Sequence, residues 1–593
     1  MEPARLGTSK RRPRRGSVER PVDGRLVRKT SLVVLAPLVL LLLTLGRSGP
    51  LPAPPLPPAF DRATATALTV DLAHESPNRV PGSPGDAAAA AWFHNKLALY
   101  GLTAQEDRWR EDVPGIGRVE LRNLAAVVRG TVPETIVFVA HRDNKGDTAG
   151  ANDNASGTAA LVELARAYAT AGITESARTP LHTLVFLSTD AGAFGSLGAA
   201  RFATHSPLAR RAVAVVSLDG LAGQVRPRLE LSGLDGRSPP QALVRTATAR
   251  VASETGRSPS LPGLLPQLVS LGLPFGYGEQ APVLGADIPA VRIATASDGG
   301  VAPGGDELAE LDSARLGQLG RAAETLLTSL DQTVELPTAT NGAIYLGGRT
   351  VRGWALQLLF LAGVIPFAAA TLDLLSRARR RRAPLHAAWR SLGRRVGLWL
   401  VLLAIVGVAS LVGALPHEPD LPPPPDEPPL DSWPLGLLAI LGLAAFLMWL
   451  RSRARSLPRP PGDPEDELAA YTVAFVSLLL VAAGTALVSP YTLVFVLPSL
   501  YTWLWLPQLR RTPAWVTDVL YGAGFVGPVL ALVVLAEQLD LGARAPLYAL
   551  SLMTTGVVPW GATLALTVWA AVAGLLGAVA SDAYAPAAPS KAR

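Results

Sequence analysis

Seven apolar segments follow one another after Val351, at about 353–375, 396–415, 433–450, 468–488, 491–507, 515–536 and 558–580. Each approaches the ~20 residues that cross a bilayer as a helix. In hydrocarbon only a helix or a closed barrel satisfies its own backbone N–H and C=O groups. Residues 351–580 are therefore confined to an α-helical transmembrane domain of about seven spans, with the lipid bilayer as its first partner. The loops agree. Arg377, Arg379 to Arg382, Arg390, Arg394 and Arg395 follow the first segment, Arg451, Arg453, Arg455 and Arg459 the third, and Arg510 and Arg511 the fifth. The intervening loop 416–432 has acidic residues and no Arg or Lys, and 537–545 has only Arg544. Positively charged short loops stay in the cytoplasm. With a further span near the amino end, this pattern gives eight spans and both termini inside. The stretch 545–580 is long enough for two short spans around Pro559, which would move the tail 581–593 outside.

The start of the chain, 1–30, is a basic cytoplasmic tail, followed by an apolar stretch at 31–46 and a Pro-rich linker at 47–58. No small-x-small cleavage site directly follows the apolar run, so it reads as a signal anchor rather than a removed signal peptide. A net charge of +7 is compatible with nucleic-acid binding, but the arginines flank apolar stretches instead of forming one basic face. No nucleic-acid partner is expected. The absence of cysteine excludes disulfides, thiolate metal sites and a cysteine nucleophile. Few ionisable residues lie within the apolar segments; Asp373, Asp518 and Glu537 all sit near ends, which argues against a transport pathway. Scarce lysine beside abundant Arg, Ala, Gly and Pro points to a GC-rich bacterial source and hence a plasma-membrane protein.

Residues 59–345 alternate short apolar runs with Ala-rich helical patterns, the signature of an extracytoplasmic three-layer α/β domain with a mostly parallel central sheet. Three of those runs end on a residue able to hold a metal. Thr135–Ala140 leads to His141, Leu184–Thr189 to Asp190, and Ala212–Leu218 to Asp219, while the turn Gly150–Gly157 supplies Asp153. Ligand sites of open α/β sheets lie beyond the carboxyl ends of the strands, so these residues are expected in one crevice. One imidazole and three carboxylates suit a divalent ion, zinc in the first place. Each residue also has a structural alternative. His141-Arg-Asp143 can be an exposed strand end, and Asn152-Asp153-Asn154 with Ser156 can turn the chain and cap a helix starting near Gly157.

With these residues placed, residues 70–333 resemble the zinc-dependent exopeptidases of the aminopeptidase S, aminopeptidase Y and glutamate carboxypeptidase type. The resemblance runs through Arg79-Val-Pro-Gly-Ser-Pro-Gly85, Asn123–Gly130, His141-Arg-Asp143, Gly150–Gly157, Gly195-Ser196, Ser217-Leu-Asp219 and Asp287–Ala290. It implies a pair of zinc ions bridged by Asp153, with His141 and Asp219 completing one and Asp190 helping to hold the other. It also implies that Asp143 orients the His141 imidazole. The family places two adjacent acids six and seven residues before the serine of its Gly-Ser motif, and here those positions hold Asp190 and Thr189. The general-base position is thus a threonine, whose hydroxyl cannot take a proton from water near neutral pH. The family's late histidine ligand is missing too, because no His lies between His205 and His386. Asp298 and Asp306 are the candidate substitutes. One zinc ion keeps a full protein ligand set; a second does not.

Two functions follow. The first is a membrane-anchored, metal-dependent exopeptidase acting on peptide amino termini. The second is a catalytically impaired peptidase-like domain that binds a peptide or amine within a membrane complex. The second reading draws on a domain order similar to that of the glycosylphosphatidylinositol transamidase subunit Gaa1, a layout that hydropathy alone can produce.

Overall fold

The computed structural model describes residues 21–46, 48–169, 179–295, 305–415, 422–425, 464–509 and 512–581, with isolated positions between 436 and 447. Most of the expected span 433–450, the candidate ligand Asp298 and most of both terminal tails lie outside the described residues.

Seven strands form one sheet: β1 (Ala104–Val113), β2 (Gly117–Val128), β3 (Val132–His141), β4 (His182–Thr189), β5 (Ala212–Asp219), β6 (Arg228–Glu230) and β7 (Ala290–Ala294). Their order is β1-β2-β4-β3-β5-β7-β6. The central strands β4, β3, β5 and β7 are parallel, while β1, β2 and β6 add antiparallel pairings at the two edges. The sheet is therefore mixed, parallel only in its middle. The edge hairpin does not stand out in the sequence, because its outer strand is exposed along most of its length and reads as a polar run.

Alternation along each central strand divides the core in two. Ile136, Phe138, Leu184, Phe186, Val216 and Leu218 face the larger helical layer. Val137, Val139, Val185, Leu187 and Val215 face the smaller one, built around Phe202 and Leu284. Strands with both faces covered need apolar residues at every position, which explains the unbroken runs. From β3 the chain passes through the helix Gly157–Ala169 to β4 on one side, then crosses through Leu197–His205 to β5 on the other. The direction of winding reverses at β3, and the crevice lies beyond its carboxyl end.

Among the described residues, five helices are long and apolar enough to cross a membrane: Gly24–Leu43, Gly353–Arg380, Leu385–Leu411, Pro464–Val488 and Trp560–Ala580. A sixth candidate is the pair Ala514–Ala523 and Val526–Gln538, bent by 54°. The expected span at 491–507 is instead an 11-residue helix, Leu493–Trp503, between two 3-10 turns. Proline explains its shortness in part: Pro490 opens the first turn and Pro507 lies in the second. The stretch 545–580 holds one candidate span, preceded by the 10-residue helix Ala545–Thr554.

At one end of the helical region the Val22 carbonyl accepts from Gln508 Nε2 at 2.9 Å, and the Pro21 carbonyl accepts from Arg377. The amino-terminal segment thus meets the last turn of the helix Gly353–Arg380 and the turn Leu506–Gln508. At the other end Phe275 of the α/β domain packs with Leu535, Leu539 and Tyr548. A short hairpin, β8 (Ala343–Leu346) with β9 (Arg349–Arg352), joins the two parts, and Gly46 bridges to Thr350.

Candidate metal centre

His141 ends β3, Asp219 ends β5, and Asp153 lies in the turn that opens the helix Gly157–Ala169. Hydrogen bonds from this turn to the segment after β5 bring the two acids together. Asn154 Nδ2 donates to the Leu218 carbonyl at 2.9 Å, its Oδ1 accepts from Gly157 and Gly220, and the Leu221 amide donates to Ser156 Oγ. Asn154 therefore caps the helix, as the sequence allowed, and also fastens the turn to β5.

His141 Nε2 stands 3.2 Å from Asp153 Oδ1 and 3.6 Å from Asp219 Oδ1. All three ligand atoms lie within 4.8 Å of one another. Asp153 Oδ1 and Asp219 Oδ1 are buried, and neither completes a hydrogen bond of normal geometry with the protein. Leaving buried carboxylate oxygens unmet is costly, and a cation is what such a trio accommodates. The donor set fits a divalent ion with one imidazole and two carboxylates.

The neighbours hold these donors in place. His141 Nδ1 is 3.2 Å from the Asp143 carbonyl and 3.4 Å from its Oδ1, which directs Nε2 toward the two acids. Asp143 itself accepts from the Gly192 and Ala193 amides at 2.8 and 3.0 Å. Burial opposes a charged His141, but the three surrounding carboxylates outweigh it and raise its pKa well above the ordinary value. Burial would likewise raise the Asp219 carboxyl; Arg292, whose Nη1 donates to Oδ2 at 2.6 Å, and His141 reverse this and hold it low. Arg292 engages one Asp219 oxygen and leaves the other facing His141.

Two expected ligands stand elsewhere. Asp190 does not join the trio: its Oδ2 accepts from Arg142 Nη2 at 2.8 Å and from the Arg122 amide, and its Oδ1 from the Ala191 amide. Arg142 is fully buried and also lies 3.1 Å from Asp86, so one guanidinium is shared by two acids. Burial raises the Asp190 pKa to about 7, with Arg142 opposing and Asp86 adding to the rise. Asp306, proposed as a substitute ligand, sits behind the turn. Its two oxygens accept from the amides of Asn152 and Asp153, and its pKa is raised to about 6 by burial and by Asp153. It supports the Asp153 backbone.

Thr189 donates its hydroxyl to Glu279 Oε1, and Ser217 Oγ donates to Glu279 Oε2 at 3.0 Å. Glu279 was missed in the sequence, although it is the only charged residue between Arg257 and Asp287. A lone acid in so apolar a stretch was the available signal. Arg79 was noted as part of a motif but not for its role: fully buried, it donates to the carbonyls of Arg142, Ala149 and Gly150 and ties the loop after β3.

His141, Asp153, Asp219 and Glu279 line one cleft, and Pro422 to Pro425 of the helical half lie across it. The Pro423 carbonyl accepts from Tyr548 at 2.6 Å.

Residues 123–264 match the profile of Peptidase family M28. The matched segment contains His141, Asp143, Asp153, Thr189, Asp190 and Asp219, and stops before Glu279 and Arg292. The mouse (Mus musculus) aminopeptidase NAALADL1 is 28% identical over 190 residues, 28% of this chain and 24% of its own length. The chain thus spans about a quarter of that relative. Among solved structures, glutaminyl cyclase from an Acidobacteriales bacterium is 19% identical, with a TM-score of 0.38 over 48% of this chain and 99% of that one. BSAP, a zinc aminopeptidase from Bacillus subtilis, is 14% identical, with a TM-score of 0.38 over 47% and 98%.

Proposed function

We propose that this chain is a membrane-anchored, zinc-dependent exopeptidase of aminopeptidase type that works with one ion. The convergence of His141, Asp153 and Asp219, with an unmet carboxylate oxygen on each of the two acids, is the observation that carries this reading. The match of residues 123–264 to Peptidase family M28 supports a metal-dependent peptidase-like domain. The apolar helices support a membrane anchor.

His141, Asp153 and Asp219 would hold the ion, and three protein ligands are the complement of catalytic rather than structural zinc sites. Bound zinc polarises a carbonyl and brings the pKa of water to about 7. The rest falls to the chain. Asp143 fixes the ring of His141, Arg292 turns one Asp219 oxygen outward, and Asp306 holds the backbone of Asp153. With Asp190 committed to Arg142, a second ion would have little beyond Asp153 to hold it.

The second reading, a binding module without turnover, draws on the Pro422–Pro425 segment over the cleft and on Thr189 in the place of a base. Metal content of the full chain in detergent, measured with hydrolysis of a panel of aminoacyl reporters, separates the two. About one zinc per chain with turnover supports the peptidase. Zinc without turnover, or no zinc, overturns it in favour of the module.

A further inference from the structure

Glu279 is 1% exposed, and among the described residues no lysine or arginine pairs with it. A buried carboxylate is costly to keep ionised; the charge of His141 offsets part of that cost and Asp219 adds to it. Two hydroxyls meet it, Thr189 Oγ1 at the end of β4 and Ser217 Oγ near the end of β5, and each oxygen retains a lone pair beyond those bonds. It lines the same cleft as His141, Asp153 and Asp219 and feels the charges of His141 and Asp219. Yet it is not among the residues whose donor atoms cluster for an ion. Its place is beside the metal centre, bonded to the residue that holds the general-base position.

A plain structural role would be to tie the loop before the helix Gln280–Gly285 to two strand ends. Glutamine would serve that purpose as well, since an amide offers one acceptor and one donor to two hydroxyls that can each rotate. A carboxylate is needed only if its charge or its affinity for a proton is used.

We propose that Glu279 is the proton acceptor of this site, reaching in from the loop before Gln280 to supply the carboxylate that position 189 lacks. The inference rests on the peptidase reading above. As the oxygen of the attacking water bonds to the scissile carbonyl carbon, one water proton passes to the Glu279 carboxylate. As the carbon–nitrogen bond breaks, that proton goes to the leaving nitrogen. Glu279 returns to its ionised form, and the products are a carboxylic acid and a free amine. Thr189 acts as a positioning residue through its hydroxyl.

The test uses the full chain in detergent, loaded with zinc, with aminoacyl reporters, zinc content and thermal melting measured on each variant. Glu279→Gln is expected to lower kcat by ~10²–10⁴-fold, with KM changed by less than about threefold and zinc content unchanged. Thr189→Glu alone places a second acid against Glu279 and is expected to melt lower without gaining activity. The double variant Thr189→Glu with Glu279→Gln is expected to recover at least about tenfold over Glu279→Gln, because the carboxylate returns to the other side of the same contact. A Glu279→Gln chain that keeps kcat within about threefold, or that loses its zinc, overturns the inference while the peptidase reading stands. A folded, zinc-loaded double variant without recovery also contradicts it. A zinc-loaded natural chain that hydrolyses no reporter overturns the peptidase reading itself, and this inference with it.

Discussion

One imidazole Nε2 proton faces two buried carboxylate oxygens, Asp153 Oδ1 and Asp219 Oδ1, and can satisfy only one at a time. A divalent cation satisfies both. Replacing Asp153 with Asn is expected to weaken zinc binding at least about 100-fold, read as metal content after dialysis, because one of two charged ligands is lost. Asp190→Asn makes the opposite case: zinc content should stay unchanged, because this carboxylate belongs to Arg142. Its signature is a pH dependence. The Asp190 pKa is raised in the folded chain to about 7 from an ordinary 3.8, so its stabilising contribution is whole below about 4 and is lost as pH rises toward 7. Between pH 5 and 8 the natural chain should therefore lose melting temperature more steeply than Asp190→Asn. His141, Asp153 and Asp219 were legible because a strand end or a tight turn fixes where each side chain goes. The fate of Asp190 was not, since it is decided by the guanidinium of Arg142, and no local pattern says which way a buried arginine turns.

At the level of elements, the close approach of backbone to the His141 side chain constrains the site. A Cβ on Gly192 would lie 2.2 Å from the His141 Cβ, so Gly192→Ala must displace either the imidazole or the loop carrying the amides that hold Asp143. Such a variant is expected to lose zinc affinity by about tenfold or more while the far side of the sheet stays folded, measured by zinc titration and circular dichroism. The loop of Glu279 depends on a different element. Phe275, four residues before it, packs with Leu535 and Tyr548. Phe275→Ala should leave zinc content intact and lower kcat by about tenfold, since a positioning error near the reacting atoms is felt directly. The central strands were readable from their unbroken apolar runs and the antiparallel edge was not, because β1 is exposed along most of its length and carries many charges. The stretch 491–507 holds an 11-residue helix between two 3-10 turns, a subdivision that hydropathy does not register because it reports apolar character and not helix length.

Over the whole molecule, the helical half also reaches the cleft. It contributes Tyr548, whose hydroxyl donates to the Pro423 carbonyl and receives from Tyr277, coupling the Pro-rich segment over the cleft to the Glu279 loop. A hydrogen bond is worth ~1 kcal/mol, so Tyr548→Phe should loosen this cover and raise kcat/KM on the larger peptide substrates by about fivefold, assayed against a dipeptide control. This arrangement joins residues more than a hundred positions apart, and nothing in the periodicity of either half announces it. The central claim is that His141, Asp153 and Asp219 close on a single cation. Zinc titration of the full chain beside its Asp153→Asn variant tests it most directly: about one tightly held ion per natural chain and none in the variant is the predicted result. No bound zinc in the natural chain, or the same zinc content in both, would contradict the account.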